Sequence, residues 1–132
     1  MNKIFKYGLI IIKDGRFLIN RKEGTNLFLM PGGKPEEDET IEECLFREIK
    51  EEHDCEIISE TIRFFGKYED KVANEPGAII SMKVYLGKLK GEPKASSEIV
   101  EQRWFGRNDN QEILSPIIKH KILPDIVEKN LI

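Results

Sequence analysis

The order of apolar and charged patterns along the chain predicts a mixed α/β domain of the α+β kind. Strand-like runs come first, one strongly acidic helix pattern follows them, and the chain returns to strand-like runs before a helical tail. Strands that enclose one helix in this way are typical of domains in which helices cover a sheet. With 132 residues, 39% of them hydrophobic and 34% charged, residues 1–132 are expected to form a single globular domain.

The N-terminal part of the chain predicts a hairpin and a short third strand. The segment YGLIIIKDGRFLINRK places two apolar runs around Asp14-Gly15, and Asp-Gly between such runs is a strong signal for a two-residue hairpin turn. The run NLFLMPGG predicts a short strand that ends at Pro31 and the paired glycines.

The acidic segment that follows predicts an amphipathic helix. Thr40 can cap its N-terminus, with Glu43 three residues later as the second member of a capping box. Behind the cap, apolar residues at helical spacing form one stripe that faces a core: Ile41, Cys44, Leu45 and Ile49.

The second half of the chain predicts more strands and a C-terminal helix. The strand-like segments are EIISETIRFFGKY, GAIISMKVYLGKL and QRWFG. Ser115 before Pro116 predicts a helix start, because proline suits the first helical position. Pro124 is expected to break or restart that helix. Periodicity does not supply the order of the strands.

Composition excludes several classes of protein. A net charge of −3 argues against a general nucleic-acid binder, which needs a clustered positive surface. No apolar run has the length of a membrane span, and the apolar start of the chain is interpreted as a strand rather than a signal peptide. Cys44 and Cys55 are too few for a disulfide scaffold and are expected to be reduced, buried thiols of a cytoplasmic protein.

Three carboxylates of the acidic helix are candidates for a cation site. Glu48, Glu51 and Glu52 lie at i, i+3 and i+4, so their side chains rise from one patch beside the apolar stripe. Such a cluster is either a well-solvated face or a site for a hard cation such as Mg²⁺ or Mn²⁺. Arg47 points about 100° away around the helix and is better placed to orient the carboxylates than to neutralise them.

The same stretch resembles the Nudix box, in which Gly, Glu, an Arg-Glu pair and a Glu-Glu pair stand at fixed spacing. Every charged position of that pattern is matched over residues 33–55. Asp54 stands where the family usually has Gly, at a helix end that is normally left-handed. The matched positions are Gly33, Glu39, Arg47, Glu48, Ile49, Glu51, Glu52 and Cys55.

The resemblance implies a Nudix-type α/β/α sandwich with a mixed sheet and a catalytic helix. It implies Mg²⁺-dependent hydrolysis, with Mn²⁺ as a substitute, of a nucleoside diphosphate linked to a further group. The Gly32 carbonyl, Glu48 and Glu52 are then expected to bind the metal, and Glu51 to be a ligand or the proton acceptor. Glu39 and Arg47 are expected to hold the loop and the carboxylates in place, and Arg47 to contribute to catalysis.

Further residues are indicated less directly. Arg21 matches a family position that often contacts substrate, although an exposed strand-end arginine is the more ordinary alternative. Phe28 is either a residue that stacks on a base or part of the core. Gly33, with its neighbouring glycine, allows the backbone to approach an ion or a phosphate closely. His53 follows the glutamates but is turned off their patch, so we expect it in solvent.

A carboxylate from outside the box is expected to complete the site. The segment SSEIVEQRWF offers Glu98 and Glu101. If the strand begins near Gln102, Glu98 lies in a flexible loop that can reach the site. The family resemblance also favours Glu98, which precedes a strand tryptophan, Trp104, at a familiar distance. The alternative is that both are solvated loop acids.

The predicted function is therefore hydrolysis of a diphosphate linkage in a small nucleotide, without a nucleic-acid polymer or a membrane as partner. The candidate substrates are nucleoside triphosphates, nucleotide sugars and ADP-ribose-like compounds. The alternative is a non-catalytic Nudix-like domain that binds a nucleotide or a protein. A homodimer is left open.

Overall fold

The structure, a computed structural model, describes residues 2–72 and 75–132. Its strands are β1 (Asn2–Ile10), β2 (Ile12–Lys13), β3 (Arg16–Lys22), β4 (Gly32–Gly33), β5 (Glu56–Ile57), β6 (Arg63–Lys71), β7 (Ala78–Leu86), β8 (Leu89–Lys90) and β9 (Ile99–Phe105). Its helical elements are α1 (Ile41–His53), the 3₁₀ turns Ser59–Thr61 and Gln111–Ile113, a π-helical segment (Ile118–Ile122) and α2 (Leu123–Glu128).

The largest sheet is mixed and has the strand order β4-β1-β7-β6. Strand β1 runs parallel to β7, from Asn2 opposite Ala78 to Ile10 opposite Leu86, and the other two pairings are antiparallel. A second, antiparallel sheet has the order β2-β3-β9, and β5 pairs with β8. The first strand of the chain is thus an inner strand of the largest sheet.

Side chains of β1 and β3 alternate between two apolar cores. Leu9 and Leu18 pack with Leu45 and Ile49 of α1. Their sequence neighbours belong to the other core, together with the C-terminal helical region: Ile10, Phe17, Ile19, Ile118, Ile122 and Ile126. Because alternate residues of a strand point to opposite faces, the two helical regions cover opposite faces of the strands. The predicted α/β/α sandwich with a mixed sheet is confirmed.

Helix α1 begins with the predicted capping box. The Thr40 side chain accepts a hydrogen bond from the Glu43 N–H at 3.1 Å, and the Glu43 carboxylate accepts one from the Thr40 N–H at 2.9 Å. The predicted apolar stripe is confirmed, since Cys44, Leu45 and Ile49 are fully buried and Ile41 packs against them. Both cysteines are buried free thiols, as expected.

The helix ends at Asp54 in a left-handed conformation, with φ 48° and ψ 46°, as predicted for this position. Its N–H donates to the Lys50 carbonyl at 3.0 Å, and its carboxylate accepts from Lys50 Nζ at 3.0 Å. A left-handed backbone costs a residue with a Cβ some free energy. The exposed ion pair with Lys50 offsets part of that cost.

The predicted hairpin is confirmed. Asp14 and Gly15 have φ values of 51° and 73°, which is the pair of positive angles that a type I′ turn requires. The expected strand in NLFLMPGG is only partly present. Phe28 and Leu29 form isolated bridges, and the two glycines that were expected to end the strand instead form β4 against β1.

The C-terminal helical region begins at Pro116, as predicted. Pro124 does not end this region; α2 starts at Leu123 with the proline in its first turn, which agrees with the expected restart. A π-helical segment precedes the proline, and the Leu123 N–H donates to the Ile118 carbonyl five residues back. This wider turn lets the chain continue into α2 although a proline lacks an N–H and its ring crowds the preceding turn. None of the helices in the described ranges is long and apolar enough to cross a membrane.

Candidate active site

Arg47 connects the loop before α1 to the acidic side of the helix. Its Nε and Nη2 donate to the two carboxylate oxygens of Glu39 at 2.7 and 2.9 Å, and its Nη1 donates to Glu48 Oε1 at 2.6 Å. Its Nη2 also donates to the Lys34 carbonyl at 3.1 Å. Hydrogen bonds from this guanidinium lower the pKa of Glu39 to about 2. The contacts are those expected of residues that hold the loop and the carboxylates, and a catalytic role for Arg47 stays a prediction.

The three glutamates of α1 lie in three different environments. The Glu51 side chain is 55% exposed and that of Glu48 is 15% exposed, whereas Glu52 as a whole is only 2% exposed. Glu52 Oε1 accepts a hydrogen bond from the Gly32 N–H at 3.0 Å. Burial removes water from the Glu52 carboxylate and raises its pKa to about 8, although the Gly32 hydrogen bond acts in the opposite direction. The three carboxylates thus lie on one side of the helix but differ in their exposure to solvent.

The paired glycines let the backbone pass close to this side of α1. Gly32 has φ 133°, and a Cβ there would lie 2.1 Å from the Tyr7 carbonyl oxygen. A Cβ on Gly33 would lie 2.5 Å from the carboxyl carbon of Glu48. Gly32 therefore requires glycine for its conformation and for space, and a side chain at position 33 would displace the Glu48 carboxylate. Metal binding by the Gly32 carbonyl stays a prediction.

The chemistry of the donors fits a divalent cation. Among the described residues, no three His, Cys, Asp or Glu side chains already converge as a metal site. One oxygen of Glu48 is held by Arg47 and one oxygen of Glu52 by Gly32. Each carboxylate keeps a second oxygen, and Glu51 is exposed. Hard oxygen donors of this kind suit Mg²⁺ or Mn²⁺, which complete their coordination with water and phosphate.

A cavity of about 590 Å³ adjoins the carboxylate of Glu52. Gly32, Gly33 and Glu52 line it, together with the ammonium-bearing side chains of Lys6 and Lys22. Much of the remaining lining is apolar: Ile4, Leu29, Met30, Ile80, Met82 and Ile117. The cavity thus combines cations beside a buried carboxylate with apolar walls.

Lys6 is a site residue that the sequence reasoning missed. Its burial, followed by repulsion from Lys22 and Lys34, lowers its pKa, while Glu52 and Glu48 act in the opposite direction. A signal was present in the sequence. On β1 the lysine shares a face with apolar or small residues two positions away on either side, so it projects from the face that borders the core.

The comparison with families decides the assignment. The model of the NUDIX domain matches residues 6–126 of the chain. The chain belongs to the Nudix family. The predicted membership is confirmed, and so is the prediction of an enzyme of the Nudix pyrophosphohydrolase class.

Individual Nudix relatives agree with this assignment. The ADP-ribose pyrophosphatase of Methanocaldococcus jannaschii is 30% identical over 122 residues, which cover 85% of this chain and 71% of that protein. The RNA pyrophosphohydrolase of a Marinomonas species is 43% identical over 60 residues, 41% of this chain and 37% of that protein. A NUDIX hydrolase structure from Nitrosomonas europaea superposes with a TM-score of 0.79 at 19% identity, over 98% of this chain and 91% of that one, and supports the fold.

Arg21 is not one of the described residues that line the cavity of this Nudix domain. Its Nε and Nη2 each donate to Glu101 Oε1 at 3.2 Å, and its Nη1 donates to the Thr25 carbonyl at 2.9 Å. The next residue, Lys22, lines the cavity instead. The substrate contact of Arg21 stays a prediction, and Lys22 is the better-placed cation.

Phe28 belongs to the core. It is 3% exposed, packs in the core beneath the C-terminal helix, and has the Arg103 guanidinium 5.0 Å from its ring centre. The structure therefore supports the core alternative rather than stacking on a base.

The expectation that His53 lies in solvent is wrong. The residue is fully buried, and its ring contacts Asn20 and Gln102 at 3.0 and 2.8 Å. Burial also lowers its pKa, so the ring is neutral at neutral pH. The helix end that was expected to face water packs instead against β3 and β9, which carry those two partners.

The two candidate acids outside the Nudix box are in different surroundings. Strand β9 begins already at Ile99, so Glu101 lies within the strand, where it accepts from Arg21 and from Arg103 Nε at 2.7 Å. Glu98 is 59% exposed at its side chain, with Lys22 Nζ at 3.4 Å, and its charge contributes to the raised pKa of Glu52. The preference for Glu98 stays a prediction, and it is the acid whose charge reaches the site.

The loop that carries Glu98 is fastened to the end of α1. The Lys94 N–H donates to the His53 carbonyl at 2.8 Å and the Ser96 N–H to the Glu52 carbonyl at 2.9 Å. The expectation of a flexible loop is not supported by these contacts. Instead, the last carbonyls of the helix find partners in the loop, which satisfies groups that a helix end leaves open.

Proposed function

We propose that the protein is a Mg²⁺-dependent pyrophosphohydrolase, with Mn²⁺ as a substitute, that cleaves the diphosphate linkage of a nucleoside diphosphate joined to another group. Among the candidate substrates, an ADP-ribose-like compound comes first, because the M. jannaschii relative is an ADP-ribose pyrophosphatase. The observation that carries the proposal is the position of Glu52. Its buried carboxylate lies at the wall of the cavity, beside Lys6 and Lys22.

The charged residues in and beside the cavity suit the two charged partners of the reaction, the diphosphate and the metal ion. Lys6 and Lys22 can bind the diphosphate oxygens, since an ammonium group is a compact partner for phosphate. Glu48, Glu51 and Glu52 would hold the cation. A divalent cation bound there supplies charge to polarise the phosphoryl group and to lower the pKa of a water molecule.

Glu51 is the best-placed proton acceptor of the three. Its side chain is 55% exposed, and its nearest cation is Arg47 Nη1 at 3.8 Å, beyond hydrogen-bonding distance. One carboxylate therefore remains accessible to take a proton from attacking water. Glu39 and Arg47 keep the neighbouring Glu48 in place through the contacts described above.

The apolar walls suit the base of the nucleotide. Leu29, Met30 and Ile117 offer surfaces against which an aromatic ring loses hydration. Ser115 also lines the cavity, and its Oγ is buried without a hydrogen-bond partner among the described residues. A buried hydroxyl without a partner favours a ligand that offers one.

A substrate panel tests the proposal. The purified protein is incubated with ADP-ribose, nucleotide sugars, nucleoside triphosphates and a 5′-triphosphorylated RNA, each with Mg²⁺, with Mn²⁺ and with a chelator. We expect metal-dependent release of a nucleoside monophosphate from ADP-ribose, with Glu52→Gln as the inactive control.

Other outcomes of the panel separate the alternatives. Turnover of nucleoside triphosphates alone would change the substrate and keep the reaction class. Turnover of the RNA alone would contradict the prediction of a small substrate. Binding without turnover of any compound would support the non-catalytic alternative.

A further inference from the structure

We infer that Asn20, His53 and Gln102 are positioning residues that select which oxygen of Glu52 faces the active site. The three side chains, of which Asn20 and His53 are buried and Gln102 is partly buried, form a directed series of hydrogen bonds that ends on the Glu52 carboxylate. The inference deepens the proposed function and rests on it for the role of Glu52.

The series joins three elements of the fold in an enclosed interior. Asn20, Glu52 and His53 are 1%, 2% and 0% exposed. From the loop inward, Gln102 Nε2 donates to the Pro93 carbonyl at 2.9 Å, and Gln102 Oε1 lies 2.8 Å from His53 Nδ1. Asn20 Nδ2 lies 3.0 Å from His53 Nε2 and 3.4 Å from Glu52 Oε1.

The Pro93 carbonyl fixes the direction of every hydrogen bond in this series. A carbonyl only accepts, so Gln102 presents its amide nitrogen to Pro93 and its oxygen to His53. His53 Nδ1 must then carry the ring proton, and Nε2 accepts from Asn20 Nδ2. A second proton on Nε2 would set two donors against each other at 3.0 Å.

The same reasoning fixes the Asn20 amide. With its oxygen and nitrogen exchanged, Asn20 Oδ1 would face the unprotonated Nε2 of His53, and two acceptors would meet at 3.0 Å. In the orientation that the series requires, Asn20 Oδ1 has no hydrogen-bond partner among the described residues. A buried amide oxygen without a partner is costly, and this cost is consistent with an orientation imposed by the rest of the series.

These hydrogen bonds distinguish the two carboxylate oxygens of Glu52. Oε1 receives the Gly32 N–H at 3.0 Å and, at longer distance, the Asn20 amide. Oε2 is left as the oxygen available to a cation or to water in the cavity. Both ring nitrogens of His53 are used within the series, so His53 acts through Asn20 and does not bind the metal itself.

Two substitutions at His53 test the inference. His53→Leu removes both polar atoms of the ring, whereas His53→Gln keeps one donor and one acceptor. We expect His53→Leu to weaken Mn²⁺ binding in the absence of substrate, and to lower kcat, by about 10- to 100-fold with little change in KM. His53→Gln should restore most of both. Ile126→Val, a core substitution away from these hydrogen bonds, controls for loss of stability alone. It should change neither Mn²⁺ binding nor kcat.

The direction of the series has its own readout. In ¹H–¹⁵N correlation spectra of the metal-free protein, the ring proton of His53 should be on Nδ1, and Asn20→Leu should disturb the Nε2 resonance. A proton on Nε2, or wild-type Mn²⁺ affinity and kcat in His53→Leu, would overturn the inference alone. Absence of Mn²⁺ binding by the wild-type protein would overturn the proposed function, and the inference with it.

Discussion

The two sides of helix α1 hold their carboxylates by different means. On the open side, Glu39 and Glu48 are tied to the charged fork of Arg47 at 2.6 to 2.9 Å. On the inner side, Glu52 is held by the Gly32 backbone and the neutral Asn20 amide. A cationic partner thus fixes Glu39 and Glu48, whose side chains are 11% and 15% exposed. Neutral donors hold the buried one, so that no cationic side chain is hydrogen-bonded to it and a divalent cation could replace the proton that its raised pKa retains near neutral pH.

The largest effect on turnover is expected from substitution of Glu52, on the inner side of α1. Glu52→Gln keeps the shape of the side chain but cannot ionise, so turnover should fall by about 100-fold or more, because the residue proposed to help hold the cation can no longer carry a charge. The melting temperature should not fall, since a buried carboxylate is replaced by a neutral amide. Steady-state kinetics and a thermal melt measure both quantities. Unchanged turnover would show that the inner side is not the reactive one.

A smaller effect is expected from the acid outside the helix. Glu98→Gln should lower turnover by about tenfold and alter the Mg²⁺ dependence, because the charge of Glu98 reaches Glu52. Glu101→Gln is the matched control. Its carboxylate is taken up by Arg21 and Arg103, so turnover should stay near that of the wild type. The reverse order of the two variants would assign the outer acid to Glu101.

The contact between Glu39 and Arg47 should affect the stability of the fold at acid pH. The folded state lowers the pKa of Glu39 from 4.5 to about 2, so this carboxylate stabilises the fold above pH 4.5. That contribution should be lost as the pH falls from 4.5 to about 2, because the unfolded chain takes up the proton first. Urea unfolding of the wild type and of Glu39→Gln, at pH values from 2 to 7, measures the difference.

Glu37→Gln, at an exposed position in the same loop, is the control for this titration. It should leave the acid limb of the stability curve unchanged. If Glu39→Gln has the same acid limb as the wild type, the Arg47 fork does not stabilise the fold.

The smallest effect is expected at Asp54, where helix α1 ends. Asp54→Gly should relieve the left-handed strain and stabilise the fold by a few tenths to about 1 kcal/mol, less the contribution of the Lys50 ion pair. In a Lys50→Ala background that ion pair is already absent, so the gain should be larger. Denaturant unfolding of the four proteins measures this, and turnover should be unchanged. A lower stability of Asp54→Gly in both backgrounds would point to a further contact of the carboxylate.

The same contrast explains what could be predicted from the sequence. The capping box and the apolar stripe join residues that are close along the chain, and local spacing determines them. The contact between Arg47 and Glu39 was expected from the resemblance to the Nudix box. The partners of His53 lie 33 and 49 positions away. Their proximity depends on the order of the strands, which periodicity does not contain. The lysines of the cavity were missed for the same reason, since Lys6 and Lys22 come from different strands.

The parallel pairing of β1 with β7 has a consequence for how the protein is made. Asn2 lies opposite Ala78, so an inner strand of the largest sheet must wait for its partner until everything from β2 to β6 has been synthesised. Closing so long a loop costs entropy before the pairing provides contacts, and folds dominated by such distant pairings form slowly. On the ribosome, β1 thus has only the short β4 as a partner until β7 has emerged, and the sheet closes only then.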